Sequence, residues 1–156
     1  RVLLFDDSGR VLLAKGHNED QPERFWWFTI GGGIEEGEDP RAAAVREVFE
    51  ETGIELSPGD LVGPVLYRTA EFDFLAVTAR PDEGVFIVQA PSTALSRDGW
   101  TELERSVIDT QAWWDIDEAA AQIDGEIYPA QILEYARAWR DGWDGHMIRL
   151  TDTREP

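Results

Sequence analysis

The stretch Asp39 to Gly53, DPRAAAVREVFEETG, carries both ends of a helix in its own residues. Asp39 suits the N-cap, Pro40 suits the first helical position where its missing N–H is no loss, and Gly53 suits a left-handed C-terminal residue. These signals predict a helix over Pro40 to Thr52. Ala44, Val45, Val48 and Phe49 form an apolar stripe that predicts packing of one helix face on a sheet. The charged face is the more constraining one. Residues three and four apart share a helical face, so Glu47 sits beside both Glu50 and Glu51. Like charges so placed repel, and a solvated helix would more often interleave Lys or Arg. A divalent cation would relieve the repulsion better.

Carboxylate oxygens without nearby His or Cys suit the hard ions Mg²⁺, Mn²⁺ and Ca²⁺ rather than zinc. The chain has no Cys, and its two His lie far from this segment in sequence. Mg²⁺ commonly completes its shell with water and substrate phosphates, so such a cluster suggests a phosphate-bearing substrate. Gly31, Gly32 and Gly33 precede the helix by a short loop, and glycine lets backbone approach a metal or phosphate closely.

Gly32, five residues, Glu38, seven residues, Arg46, Glu47, Val48, one residue, Glu50, Glu51, one residue, Gly53 and Ile54 together resemble a complete Nudix box. On that pattern the chain is identified as a member of the Nudix hydrolase family, MutT-like. The resemblance implies an α/β chain with the Nudix fold, a mixed β-sheet sandwiched between α-helices. It implies a Mg²⁺- or Mn²⁺-dependent hydrolase that cleaves the pyrophosphate bond of a nucleoside diphosphate linked to another group. Carried over by position, Glu47, Glu50 and Glu51 hold the metal, and one of them doubles as general base. Arg46 orients them by charge-assisted hydrogen bonds, with Glu38 as its partner. Gly31 or Gly32 offers the metal a backbone carbonyl. Glu50 is open to two readings, ligand or partner of Arg46. Family members commonly add an acidic residue from a later loop, for which Glu104 is the first candidate and Glu102 the second. Metal ions neutralise charge in an in-line displacement and acidify a bound water, whose proton a carboxylate can take. The rival readings are a catalytically silent nucleotide sensor and an interaction module with exposed aromatics.

A formal net charge of −18 argues against extended nucleic acid as a partner, since phosphate contacts need Lys and Arg in bulk. A small phosphate-containing nucleotide is the expected partner, with divalent cations supplying the positive charge; a homodimer is compatible with the chain. Arg24, Arg68 and Arg80 are candidate phosphate contacts, against a plain surface role. With 156 residues, 42% hydrophobic, the chain can bury one core, and residues 1–141 are expected to form the domain, with 142–156 an unassigned tail. No apolar run is long enough for a membrane span or signal sequence, which makes the cytoplasm the default location. Arg1 opens directly on an apolar run, so the native start is expected upstream.

Val2 to Phe5 and Val11 to Ala14 predict strands joined by the Asp6–Gly9 turn, and Phe25 to Ile30 predicts another leading into the glycines. Leu61 to Tyr67, Glu71 to Thr78 and Gly84 to Gln89 are strand-like, with a turn over Pro81, Asp82, Glu83 and Gly84. Gly99 to Ala120 predicts a loop, a helix and a Trp-containing segment in which Trp113 and Trp114 pack. Ala130 to Arg140 predicts a last helix with Ile132, Leu133, Tyr135, Ala136 and Trp139 on its apolar face. Phe25, Trp26, Phe28, Phe72 and Phe74 are candidates to stack on a base, though each equally suits the core. Pro64 and Tyr67 fall too close to the box to serve as marks of ADP-ribose or dinucleoside polyphosphate hydrolysis.

Overall fold

A computed structural model describes residues 1–32, 35–70, 72–74, 77–79, 82–123 and 125–152. Gly33, Glu71, Arg80, Pro81 and the last four residues of the tail lie outside that set, as do the side chains of Phe72 and Phe74. The strands are β1 (Val2–Phe5), β2 (Val11–Asn18), β3 (Gln21–Phe28), β4 (Val62–Ala70), β5 (Phe72–Phe74), β6 (Val77–Ala79), β7 (Asp82–Gln89), β8 (Ile108–Trp114), β9 (Glu126–Tyr128) and β10 (Ile148–Asp152). The helices are α1 (Pro40–Thr52), α2 (Glu102–Val107), α3 (Ile116–Gln122) and α4 (Ile132–Trp139).

The main sheet runs β10-β4-β7-β1-β2-β3-β9, with β8 joined to β2, and β5 and β6 form a separate hairpin. Pairing is mixed: β1 runs parallel to β7, β3 to β9 and β10 to β4, while β2 is antiparallel to β1, β3 and β8. Strand alternation divides the core into two layers. Leu3, Phe5, Val11 and Leu13 face Ile116, Ala119, Ile132, Leu133, Ala136 and Trp139 of α3 and α4. Val2, Leu4, Leu12 and Ala14 face the other way, onto Ala44 and Val48 of α1. With both faces covered, β1 and β2 need apolar residues at every position, and their sequences VLLF and VLLA supply them. The mixed sheet between helices is the expected α/β architecture.

Several expectations are corrected. Phe49 does not pack on the sheet but stands 49% exposed, because the buried face of α1 is Ala43, Ala44, Val48, Glu51 and Thr52. Asp82, Glu83 and Gly84 belong to β7, where pairing with β4 overrides their turn-forming tendency. The unassigned tail contributes β10, which pairs with β4 from Leu66 to Ala70. Trp113 and Trp114 do pack, one against each core layer, and Trp114 meets Trp27 edge to face at 5.4 Å. Among the described residues no helix is long and apolar enough to cross a membrane.

Candidate functional site

Helix α1 presents the carboxylates, and its ends are built as the sequence predicts. The Asp39 side chain accepts from the N–H groups of Arg41 (3.0 Å) and Ala42 (3.2 Å). Gly53 closes the helix at φ 78°, donating to the carbonyl of Phe49 (2.9 Å). Arg46 then organises the charge. Its Nε and Nη2 form a fork on Glu38 (2.8 and 2.9 Å), and its Nη1 donates to Glu47 (3.0 Å) and Glu50 (3.1 Å). The hydrogen bonds from Arg46 draw the Glu38 carboxyl down to about 2. Part of the like-charge repulsion on this helix is thus answered by Arg46, one guanidinium spanning three carboxylates.

Glu51, one turn on from Glu47, is 6% exposed on the face of the helix that packs inward. Its Oε2 accepts from the Gly31 N–H (3.2 Å). Burial pushes its pKa up to about 7; the charge of Arg1 and the Gly31 hydrogen bond oppose the rise, while Glu47 and Glu104 add to it. Burial also raises Glu47 above the usual carboxylate range, with Arg46 opposing and Glu50 and Glu104 reinforcing. Both glutamates therefore resist carrying a charge without a cation nearby. The glycine loop lies directly against them. A Cβ on Gly32 would stand 2.6–2.8 Å from the carboxylate atoms of Glu47, so a side chain there would displace that carboxylate. The carbonyl of Gly31 is turned to Arg1 Nη1, at 2.8 Å.

The later loop is fastened to the same helix. Trp100 Nε1 and Gln111 Nε2 donate to the main-chain carbonyl of Glu51 (2.6 and 3.0 Å), and Ser96 N–H donates to that of Thr52 (2.7 Å). These contacts satisfy carbonyls that a helix leaves unpaired at its C-terminal end. Thr101 caps α2 by accepting from the Glu104 N–H (3.2 Å). Glu104 is near enough to raise both Glu47 and Glu51, and its Oε2 is buried without a hydrogen-bond partner among the described residues. Glu102 is exposed. Of the two candidates, the structure brings only Glu104 to the cluster.

The residues fit a hard divalent cation on three counts. The donors are all oxygen, Glu104 carries an orphaned buried oxygen, and Gly32 leaves room for close approach to Glu47. Among the described residues no three acidic or His side chains are already gathered as a metal cage. Glu47 and Glu50 instead rest on Arg46.

Arg1 borders two cavities, of which the larger is lined by Glu47 of the cluster. One of about 580 Å³ is walled by Gly32, Glu47, Pro64, Tyr67, Glu83 and Phe86. The other, about 260 Å³, is walled by His17, Trp26, Phe28, Arg68, Tyr128 and Pro129. Trp26 and Phe28 thus reach a cavity, while Phe25 lies under the Lys15 ammonium at 4.1 Å. Arg24 is exposed and pairs with Glu126 at 3.5 Å. Arg68 is not a surface arginine: it is 4% exposed and bonded to Glu83. Arg1, Glu83, Trp100 and Gln111 are the site residues that sequence reasoning missed. Each reaches the site only through strand pairing or loop packing.

The NUDIX domain model matches residues 1–135. The dihydroneopterin triphosphate diphosphatase of Escherichia coli is 30% identical over 128 residues, covering 77% of this chain and 78% of that one. The solved structure of the E. coli dihydroneopterin triphosphate pyrophosphohydrolase superposes with TM-score 0.55 at 28% identity, covering 86% and 90% of the two chains. An RNA pyrophosphohydrolase of Dinoroseobacter shibae is 45% identical over 53 residues, 34% of this chain, and the match spans only 31% of that relative's length. With its box, its sheet between helices and a family match over most of its length, this chain belongs to the Nudix hydrolase family.

Proposed function

We propose that this protein is a divalent-metal-dependent pyrophosphohydrolase acting on a small nucleoside- or pterin-like polyphosphate. The observation that supports the reading is the placement of Glu47 and Glu51 against the Gly31–Gly32 loop, with Glu104 within electrostatic reach of both and Arg46 held by Glu38 beside them. Glu47, Glu50, Glu51 and Glu104 would hold Mg²⁺ or Mn²⁺, with a glycine carbonyl as a further donor. Gly32 is the better placed of the two glycines, since Gly31 already serves Arg1. When bound, the ion supplies neutralisation of phosphate charge and a water acidified for attack on phosphorus.

The chain's own residues do the rest. Arg46 keeps Glu47 and Glu50 from swinging away from the helix face, and Glu38 keeps the guanidinium plane fixed. Glu51, buried and easily protonated, is the carboxylate best suited to take a proton from the attacking water. The cavity walled by Trp26, Phe28 and Tyr128 offers aromatic faces on which a flat ring would stack, while Glu47 and Gly32 line the larger cavity, which would take the phosphates. A relative that matches most of the chain is named for a pterin triphosphate, which supports a ring-bearing triphosphate over a long RNA end.

The test is a screen of nucleoside di- and triphosphates, dihydroneopterin triphosphate, nucleotide sugars and dinucleoside polyphosphates with Mg²⁺ and Mn²⁺, identifying the products. Metal-dependent cleavage of a phosphoanhydride bond is expected. Metal-dependent binding without turnover of any of them would replace the enzyme with a nucleotide sensor.

A further inference from the structure

Three charged side chains from three strands meet behind the glycine loop. Arg1, at the start of β1, donates through Nη1 to the carbonyls of Thr29 (3.0 Å) and Gly31 (2.8 Å) and through Nε to Glu83 on β7 (3.3 Å). The other Glu83 oxygen accepts from Nε of Arg68 on β4 (3.1 Å) and again from its Nη2. Arg68 is almost wholly buried and Arg1 partly so, and Glu83 is a counter-charge that the two guanidiniums share. Gly31 is held from its other side as well, its N–H donating to Glu51 Oε2 (3.2 Å). A Cβ on Gly31 would come within 2.8 Å of Arg1 Cα, so the loop and the strand are in close contact.

We propose that the Arg68–Glu83–Arg1 chain is a positioning device for the metal site, holding the Gly31 segment so that its N–H aims Glu51 and its neighbour Gly32 stays against Glu47. The inference rests on the reading of Glu47 and Glu51 as cation ligands. Arg1 is suited to this work because one fork reaches two carbonyls and a carboxylate together, which the point charge of a lysine does not. Strand β7 pairs with both β1 and β4, so the glycine loop is tied to the middle of the main sheet. The carboxyl of Glu83 stays below its ordinary range; burial works against this, and Arg1 and Arg68 outweigh it.

The experiment compares wild type with Arg1→Lys, which keeps the charge and removes the fork, and with Glu83→Gln. Hydrogen exchange at the Gly31 amide is followed by NMR without metal, and Mn²⁺ binding is titrated calorimetrically. Expected in both variants are faster Gly31 exchange and Mn²⁺ affinity weaker by about tenfold, as for other groups that orient ligands. The drop in turnover is expected in kcat rather than in substrate KM. Should Glu83→Gln fail to fold, Arg1→Lys carries the test alone. Unchanged Gly31 exchange together with unchanged Mn²⁺ affinity in a folded variant would overturn the proposal. If wild type itself binds no Mn²⁺, the cation reading fails, and unaltered Gly31 exchange in the variants would separately show that the chain positions nothing.

Discussion

Glu51 couples the stability of the metal-free protein to pH. Its pKa lies at about 7 in the folded chain against 4.5 in the unfolded one, so between those values the folded state holds a proton that the unfolded state has lost. Stability therefore falls as pH rises through that window, by about 3 kcal/mol at most. Glu38 acts with the opposite sign, its contribution being lost as pH falls from 4.5 towards about 2. Chemical denaturation of metal-free protein at pH 5 and pH 8 should show lower stability at pH 8, and Glu51→Gln should remove most of the difference. The same substitution should cut turnover by about a hundredfold or more. Glu104→Gln should weaken Mn²⁺ binding while Glu102→Gln leaves it unchanged; equal effects would sink the choice of Glu104. At this scale the box glutamates were legible because their spacing is local. Arg68 was not: its burial depends on Glu83, fifteen residues away and readable from sequence only as a turn.

The helix that carries the box was legible to its last residue, since Asp39, Pro40 and Gly53 act through the backbone next to them. Its orientation was less so. An apolar stripe through Phe49 suggested one buried face, yet the helix is rotated to bury Glu51 and leave Phe49 in solvent. The buried Glu51 carboxylate accepts from the Gly31 N–H, which ties the inward face of the helix to the glycine loop. Gly53→Ala tests the C-terminal cap. It forces an alanine to φ 78° and drives its Cβ to 2.8 Å from the Ser96 Cβ. Thermal unfolding should register a loss of about 1–2 kcal/mol or more. Activity should fall too, because the later loop is fastened to that end of α1.

For the whole molecule, the apolar runs Val2 to Phe5 and Val11 to Ala14 marked two strands and the family resemblance implied a sheet between helices; β1 and β2 lie at the middle of that sheet. The closing strand was hidden, because IRLTD reads as surface until its pairing with β4 is known. Deleting residues 142–156 should lower the melting temperature and promote aggregation through the uncovered edge of β4, as scanning calorimetry and light scattering would show. Metal binding should be felt by the whole fold through linkage: Mg²⁺ at about a hundred times its Kd should stabilise it by about 2.7 kcal/mol, as thermal unfolding with and without the ion would show. The fastening of Trp100 and Gln111 to the Glu51 carbonyl bears on how such proteins can be recombined. A loop transplanted here from a relative brings new contacts, but it also takes hold of the backbone of Glu51, the residue proposed above as a metal ligand. Grafts that keep Trp100 and Gln111 should exchange specificity with catalysis intact, whereas grafts that drop them should lose both together.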